Sequence, residues 1–401
     1  MENILNYEIQ LETISSGYDR KTCWVHARGG TIPANIFGND NPVVVVVLQK
    51  LQLTKCDVFY AINEFRTDDL GKTWTGPIEH KDTLGRRKFG DVEICPCDMF
   101  PKFHEKTKKL MITGHVATYK NNDLTLKRPR FPCYSIYRPE NMTWSKFKLL
   151  DLPDKDNKFY NAGAGSAQRW DLSTGEILLP IYFHTFEQEQ QRTSQCADIP
   201  YASTVVKCRF DGEKMEYIEH GSELSVPQGR GLYEPSITFY KGTYYFTLRN
   251  DYTGYVAKSN DGLNFDMPIE WRWDDGSPLG NYNTQQHWVT HSDGLFLVYT
   301  RKGANNDNVM RHRAPLFIAQ VDIDKLCVIR DTEKVLVPNR GARLGNFGVT
   351  NVTSTETWIT VTEWMQTKDP DPYDFTVCES YGSDNSVFVA RILWETPNKI
   401  A

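Results

Sequence analysis

Arginines stand near the ends of many short apolar segments of this sequence, where they could meet around one site. A planar guanidinium binds a carboxylate through two parallel hydrogen bonds, so clustered arginines favour an anionic ligand such as a terminal acidic sugar. The alternative is that individual arginines pair with nearby Asp or Glu, or stack on aromatic rings. The arginines that we assign to substrate binding are Arg28, Arg230, Arg249, Arg301, Arg311 and Arg343.

Side chains able to move protons accompany these arginines. Imidazoles and carboxylates serve as general acids and bases, phenols can act as nucleophiles, and amides suit sugar hydroxyls. A structural role is the alternative for each: a carboxylate at a strand start accepts backbone N–H groups, and a histidine at a strand end packs. The catalytic candidates are Glu234, His287, His115, Tyr233 and Tyr282, and Gln286 and Asn346 join the binding set.

The elements that would position these residues are short strands that recur along the chain. Helical periodicity is hard to find, whereas alternating apolar runs end at Gly, Pro, Asn or Asp, which predicts an all-β protein. One unit recurs as a strand, a polar turn and an aromatic residue. A second unit is a polar loop followed by two strands. Examples are "DVFYAINEFRTDDLGKTWTGP" (57–77), "GYVAKSNDGLNFDMP" (254–268), "EPSITFYKGTYYFTLRN" (234–250) and "QHWVTHSDGLFLVYTRKG" (286–303).

The alternation of these units predicts one domain over residues 1–401, a six-bladed β-propeller with four-stranded antiparallel blades. Such modules cannot bury a core alone and must stack around an axis. The last module lacks a strand, which "YEIQLETIS" (7–15) would supply, closing the ring. A pair of stacked sandwiches is the alternative. In a propeller, the loops that enter the inner strands converge on one mouth, where ligands bind.

Composition limits the classes of partner. The chain has 401 residues, 46 Lys+Arg against 51 Asp+Glu and a net charge of −5, which argues against nucleic-acid binding. The apolar run "VVVVVLQ" (43–49) is too short to span a membrane, and residues 1–12 do not resemble a secretory signal. The nine cysteines form no CxxC pair. We therefore expect reduced thiols in a cytoplasmic protein, or a secreted one if a leader was trimmed. The oligomeric state is not assigned.

The turn "TDDLGKTW" resembles the Asp-box of sialidases, whose pattern is Ser/Thr-x-Asp-x-Gly-x-Thr-Trp, and "SNDGLNF" resembles it with one residue missing. Most of the chain follows the same order, since Glu234, Arg249 and the turn at 259–265 succeed one another as in the fourth sialidase blade. The resemblance implies a sialidase-like propeller. It also implies that Asp57 is the acid/base residue and that Arg301 binds substrate in the fifth blade.

The sequence departs from that family at two catalytic positions. The first family arginine precedes an Ile-Pro pair, whereas Thr31 stands there and Arg28 comes three residues earlier. The nucleophilic tyrosine should open the sixth blade, where "GARLGNFGVTNV" has Asn346 and Phe347 instead. Hydrolysis through a tyrosyl glycoside would therefore need a substitute, such as Tyr233 or Tyr282, or a directly activated water.

Three functions remain open from the sequence. The first is a sialidase-like exo-glycosidase that cleaves a terminal acidic sugar from an oligosaccharide or glycoconjugate. The second is a polysaccharide lyase that removes the C5 proton of a uronate, with His287 or a tyrosine as base. The third is a propeller that binds sugar without catalysis. No cofactor is expected; the acidic loop "DPDPYD" (369–374) could bind a structural Ca²⁺, although a solvated loop is the preferred interpretation.

Overall fold

The computed structural model describes residues 4–153, 156–195 and 197–400, and these residues form a β-propeller. Strand β1 covers Tyr7–Ser15. The first complete sheet follows, with β2 (Thr22–Ile32), β3 (Val43–Gln52), β4 (Phe59–Thr67) and β5 (Thr75–Glu79). Helix α1 (Lys81–Leu84) leads to the second sheet, which contains β6 (Arg87–Phe89), β7 (Val92–His104), β8 (Lys109–Lys120), β9 (Asp123–Leu124), β10 (Pro132–Arg138), β11 (Thr143–Trp144) and β12 (Lys148–Leu149).

The third sheet contains β13 (Asn161–Gly163), β14 (Trp170–Asp171), β15 (Ile177–His184), β16 (Ala202–Phe210) and β17 (Met215–His220), with helix α2 (Phe186–Gln190) before β16. The fourth contains β18 (Tyr233–Tyr240), β19 (Thr243–Arg249), β20 (Tyr255–Ser259) and β21 (Ile269–Glu270). The fifth contains β22 (His287–His291), β23 (Gly294–Tyr299), β24 (Leu316–Asp322), β25 (Cys327–Val328) and β26 (Lys334–Val337), with 3-10 helices at Met310–His312 and Arg330–Thr332.

The last sheet joins the two ends of the described chain. It contains β27 (Phe347–Thr353), β28 (Glu356–Thr362), β29 (Val387–Trp394) and β1, with helix α3 (Thr376–Glu379) before β29. Strand β1 pairs antiparallel with β29, from Tyr7 opposite Trp394 to Ser15 opposite Val387. The expected closure by residues 7–15 is therefore confirmed, and the outer edge of β29 is covered.

The sheets pack face to face around an axis and not as two stacked layers. Strand β2 packs against β7 of the next sheet and against β27 of the last one, while β18 packs against β15 and β22. Each interface is apolar: Val289 and Phe296 of the fifth sheet, for example, share one core with Phe347 and Phe388 of the last. Five propeller blades are recognised among the sheets, so the expected number of six is not confirmed.

The turn that resembles an Asp-box is a scaffold element. The Asp69 carboxylate accepts hydrogen bonds from the Thr73 backbone N–H at 2.9 Å and the Thr67 hydroxyl at 2.8 Å. Gly71 takes a φ of +83°, which glycine adopts without steric cost. The ring of Trp74 then packs 6.1 Å from that of Trp358 on the last sheet. The turn therefore fixes two sheets to one another.

The described cysteines carry free thiols, and all of them except Cys56 are buried. Among the described residues, no helix combines the length and apolarity that crossing a membrane requires.

Candidate functional site

One backbone feature recurs where the inner strands face the axis. His26, Asp98, Ser166 and Glu234 each have a positive φ, at 60°, 54°, 57° and 45°. The register of the strand shifts beside His26, Asp98 and Glu234, which marks β-bulges. A bulge re-aims a side chain, and a left-handed non-glycine residue is a strained one typical of functional sites. These side chains form the candidate site.

In one half of this site, several side chains contact the Asp98 carboxylate. Its carboxylate accepts a hydrogen bond from the Ser166 hydroxyl at 2.8 Å and lies 3.5 Å from the guanidinium of Arg28. Nε2 of His26 lies 3.4 Å from Oδ1, and Nε2 of His115 lies 3.8 Å from Oδ2. Burial alone would raise the pKa of Asp98, but the charges that the two imidazoles carry in acid, together with the charge of Arg28, hold it well below its usual range. Asp98 is therefore ionised near neutral pH.

The two imidazoles beside Asp98 are neutral. Burial lowers the pKa of His26, and burial together with the Arg130 guanidinium lowers the pKa of His115 to about 3. The Nδ1 atoms of both rings are buried without a hydrogen-bond partner among the described residues. The cluster therefore keeps hydrogen-bonding capacity for a ligand.

Cys97, Asp98 and His115 also place one potential metal-ligand atom each within 4.8 Å. Burial raises the pKa of the Cys97 thiol well above its ordinary value. Because Arg28 already balances the Asp98 charge, these residues fit a metal cation poorly.

Arg28 lies near the propeller axis, below Asp98, where side chains of the other inner strands also meet. Its guanidinium donates hydrogen bonds to Ser166 Oγ at 2.7 Å and to Gln285 Oε1 at 3.1 Å. Phe100 contacts both Arg28 and His287, and His287 contacts Phe347 at 4.9 Å between ring centroids. Ser236 contacts His287, and Gln168 contacts Ser236. We call the six residues the axial plug: Arg28, Phe100, Gln168, Ser236, His287 and Phe347.

His287 therefore does not reach the mouth. It is fully buried in the axial plug, its Nδ1 lies 2.9 Å from the Ser236 hydroxyl, and burial lowers its pKa well below the ordinary value. A sealed imidazole that holds protons weakly is a poor general base. The expectation that His287 acts on substrate is not supported by this position.

Ion pairs organise the other half of the site. The Arg249 guanidinium lies 2.6 Å from the Glu234 carboxylate and donates to Asn283 Oδ1 at 2.7 Å. Arg230 and Tyr233 meet at Asp251, where the Tyr233 hydroxyl donates to Oδ1 at 2.6 Å and Arg230 forms an ion pair at 2.6 Å. Burial raises the pKa of Tyr233 far above its usual value, so this phenol is not activated as a nucleophile.

Two further arginines of the mouth have no carboxylate within ion-pair distance among the described residues. Arg313 is buried and donates from Nε to the Asn283 carbonyl at 3.1 Å. Burial and the neighbouring charges of Arg249, Arg311 and Arg343 lower its pKa well below the ordinary value. Burial lowers the pKa of Arg343 to about 10, and its guanidinium lies 4.2 Å from the Trp364 ring. The ring of His26 lies against the same tryptophan, at 5.8 Å, which connects the two halves of the site.

Tyr282 begins a chain of hydrogen bonds that continues through His312 to Asp307. Its hydroxyl lies 2.5 Å from Nδ1 of His312, whose Nε2 lies 3.1 Å from the Asp307 carboxylate. A carboxylate only accepts, so a neutral His312 carries its proton on Nε2 and accepts the tyrosine proton at Nδ1. Burial raises the pKa of Tyr282, whereas Arg311 and Arg313 act to lower it. Arg311 and His312 both have a positive φ, at 58° and 51°.

Some predicted residues lie elsewhere or play another part. Arg301 forms an ion pair with Glu333 at 2.6 Å and packs on the rings of Trp273 and Phe317, outside both halves of the site. Gln286 is buried between sheets, where it donates to the Thr284 carbonyl and accepts from Thr247. The predictions for Arg301 and Gln286 are therefore not supported, and the neighbouring Gln285 contacts Arg28 instead.

The remaining predicted residues stay near the mouth. The charge of Asp57 acts on both His26 and Arg343, so this carboxylate lies close to the site. Arg311 acts likewise on Arg313 and Arg343. Asn346 is buried directly before Phe347, whose carbonyl accepts a hydrogen bond from Arg28 Nε at 3.2 Å.

The sequence did not single out several residues of the site, among them Asp98, Arg313, Arg130 and Tyr201. Asp98 lies beside two cysteines in "ICPCDMF", and Arg313 follows Arg311 by two residues in "RHR", so neither stands out from its neighbours in the sequence. Arg130 packs on Tyr182 and Tyr201, and its Nε and Nη2 are buried without partners among the described residues. Burial alone would raise the pKa of Tyr201, but three arginines lower it. Asp98 lies two residues before Phe100, an aromatic residue of the same inner strand, and this spacing is the sequence signal that could have identified it.

Several solved structures share this fold. A protein of unknown function from Dyadobacter fermentans is 12% identical with a TM-score of 0.59, over 96% of this chain and 99% of its own. Trypanosoma rangeli sialidase is 12% identical with a TM-score of 0.57, over 92% of this chain and 53% of its own. A Hadza microbial sialidase is 12% identical with a TM-score of 0.60, over 92% of this chain and 65% of its own.

This chain thus spans about half the length of the trypanosomal sialidase. No protein-family model matches the chain, and a search of curated proteins finds no match. At these identities the likeness concerns the fold, which is a sialidase-like β-propeller.

Proposed function

We propose that this protein is a sialidase-like exo-glycosidase that removes a terminal acidic sugar from a glycan. The observation that carries the proposal is the pair Arg313 and Arg343, a buried and a partly buried guanidinium group, neither with a carboxylate within ion-pair distance among the described residues. Burying a charge costs free energy unless it is paired. The carboxylate of a bound sugar would supply the missing partner through bidentate hydrogen bonds. Trypanosoma rangeli sialidase, which shares the fold, has been solved with sialic acid.

In this proposal Tyr282 is the nucleophile. His312 takes the phenolic proton at Nδ1, and Asp307 stabilises the imidazolium that forms, while the phenolate oxygen bonds to the anomeric carbon. Asp57 donates a proton to the leaving oxygen and later accepts one from the water that hydrolyses the glycosyl-enzyme. Asp98, held ionised, accepts hydrogen bonds from sugar hydroxyls. Tyr282 and His312 would thereby replace the tyrosine that the sixth blade lacks.

The geometry favours hydrolysis over β-elimination at a uronate. An elimination needs a base strong enough to remove a carbon-bound proton. His287 is sealed in the axial plug, and His115, with a pKa of about 3, holds protons too weakly near neutral pH. A purely sugar-binding propeller would have no use for the strained relay at Tyr282 and His312.

We also infer that the ring has six blades and that its turns at 67–74 and 259–265 are Asp-boxes. The strands group into six sheets in chain order, and only β1 leaves that order, to complete the last sheet. In the second turn, the Asp261 carboxylate accepts from the Asn264 backbone N–H at 2.7 Å, and the Ser259 hydroxyl accepts from that of Gly262 at 3.0 Å. The turn at Asp69 uses the same kinds of bond.

The deciding experiment is incubation with a panel of sialosides and of glucuronate-terminated oligosaccharides, read by mass spectrometry and ultraviolet absorbance. Release of the acidic sugar with one added water and no new absorbance is the expected result. Products lighter by one water, with the absorbance of an unsaturated uronate, would identify a lyase and overturn the proposal. Tight binding without turnover would identify a sugar-binding protein and overturn it equally.

A further inference from the structure

The far ends of the inner strands surround a second cavity, on the opposite side of the axial plug from Asp98. Its volume is about 860 Å³, which falls in the range of roughly 300–1,000 Å³ that is usual for small-molecule sites. Phe100 and Gln168 of the axial plug form part of its lining, so the plug separates it from the arginine-rich mouth.

Aromatic rings form one wall of this cavity. Trp170, Phe239 and Tyr244 line it, and all three are only partly buried. The Phe239 ring lies 6.0 Å from that of Trp170 and 4.7 Å from that of Tyr244, so the three rings make one continuous surface. Partly exposed aromatic rings inside a cavity offer apolar faces with polar edges, which suit the C–H face of a pyranose ring.

Hydroxyl groups form the opposite part of the lining. Thr31 and Thr350 hydrogen-bond each other at 2.8 Å, as do Thr238 and Thr290 at 2.6 Å. The Thr238–Thr290 pair uses one of its two hydroxyl protons, which leaves a donor for a ligand. In the other pair, Thr350 also donates to the Asn351 carbonyl at 3.5 Å, so the oxygens of that pair can only accept from a ligand. The hydroxyl of Thr113 is fully buried in the lining and has no hydrogen-bond partner among the described residues. A buried hydroxyl without a partner is costly, so a ligand that bonds to it would gain affinity.

The lining carries three cationic side chains, Lys102, Lys106 and Arg169, against the two carboxylates of Glu105 and Asp171. Arg169 forms an ion pair with Asp171 at 2.9 Å, and burial lowers the pKa of Lys102, whose charge is opposed by the same carboxylate. Lys102 also donates to the Arg169 carbonyl at 3.1 Å and lies 4.7 Å from the Trp170 ring. With a formal excess of one positive charge, this environment is closer to neutrality than the arginine-rich mouth at the other end of the axis, and it favours a ligand of little or no net charge.

We propose that this cavity is a second carbohydrate site, and that it binds a neutral sugar unit. The aromatic wall stacks against the sugar ring, and Thr113 with the two threonine pairs bonds to its hydroxyls. The site works independently of the proposed hydrolase activity, because the axial plug lies between the two.

The test is calorimetric titration and saturation-transfer NMR of the full chain with lactose, maltose, cellobiose and N-acetyllactosamine. Two variants probe the cavity: Thr113→Val removes one hydroxyl at constant shape, and Trp170→Ala removes a wall. Trp74→Ala, which removes a partly exposed tryptophan that does not line the cavity, is the matched control. Arg313→Met separates this site from the arginine-rich mouth.

The expected result is binding of at least one of these sugars, weakened at least tenfold by Thr113→Val and by Trp170→Ala. Trp74→Ala and Arg313→Met should retain the wild-type affinity. The proposal is overturned if none of the four sugars binds, if both cavity variants bind as the wild type does, or if Arg313→Met abolishes binding. Circular dichroism checks that Thr113→Val remains folded, so its result is interpretable on its own.

Discussion

The buried guanidinium of Arg313 donates from Nε to the backbone carbonyl of Asn283 at 3.1 Å, while its charged neighbours are arginines. Arg301 offers the contrast, because it is held by Glu333 at 2.6 Å away from the mouth. The two residues therefore form a matched pair for separating substrate binding from stability.

Substrate binding should depend on Arg313 and not on Arg301. Replacing a charged hydrogen-bond partner of a substrate costs about 1.5–3 kcal/mol, or roughly 10- to 150-fold in affinity. We expect Arg313→Met to raise KM for the acidic glycan by that factor, measured by initial rates. Arg301→Met should leave KM unchanged, and a large effect of Arg301→Met would contradict the assignment.

The stability of the protein should depend on Arg301 and not on Arg313. Arg313 pays a desolvation cost without an ion pair, so we expect Arg313→Met to leave the Tm unchanged or to raise it. Arg301→Met leaves the carboxylate of Glu333 without its partner, which should lower stability by about 1–3 kcal/mol. Thermal unfolding of both variants measures this, and a lower Tm for Arg313→Met than for Arg301→Met would refute the argument.

Covalent catalysis should map to Tyr282. We expect Tyr282→Phe to reduce kcat at least as strongly as loss of a general base does, about 10²–10⁴-fold, and His312→Gln to fall in the same range. Intact-mass analysis of a quenched reaction should find a glycosyl adduct on the wild type and none on Tyr282→Phe. Peptide mapping that located the adduct on Tyr201 or Tyr233 would rule Tyr282 out.

Acid should weaken the long connection between β15 and β16 through Glu189. Burial alone would raise the pKa of this carboxyl, but its contacts with the His184 ring and the Arg192 guanidinium lower it from 4.5 to about 2. Its contribution to stability is therefore complete above about pH 4.5 and is lost as the pH falls towards 2. We expect the urea midpoint of Glu189→Gln to lie below the wild-type midpoint at pH 7 and to converge with it in acid.

The control for that experiment is Glu187→Gln, on the same helix but exposed. Its urea midpoint should follow that of the wild type across the pH range. A constant gap between Glu189→Gln and the wild type at every pH would indicate lost packing and not lost charge.

The turn at Gly71 predicts a further stability difference. An alanine in the left-handed region costs about 1–2 kcal/mol, and at Gly71 its Cβ would also lie 3.3 Å from Cη2 of Trp358. Gly90 has a φ of +62° with no heavy atom within 4 Å of such a Cβ. We therefore expect Gly71→Ala to lower the free energy of unfolding more than Gly90→Ala does. Equal losses would show that the tryptophan contact contributes nothing.

The class of fold could be predicted because its signals are local. Alternating apolar residues and turn residues recur in every module, and the pairing of 7–15 with β29 followed from a missing strand. The site was harder to predict, because neighbouring strand residues face opposite ways. Gln285 and Gln286 are adjacent and chemically identical, yet only Gln285 contacts Arg28. The bulge that redirects the Asp98 side chain depends on the positive φ of this residue, and the neighbouring residues in the sequence do not predict that φ.

The pairing of β1 with β29 determines how the ring would come apart. Tyr7 and Trp394 face each other at the same end of an antiparallel pair, so opposing forces applied to these two residues would break its hydrogen bonds one after another and not all together. The β1–β29 pair is therefore mechanically weak, although its formation is thermodynamically favourable. During synthesis, β1 finds its partner β29 only after the strands from β2 to β28 have been made.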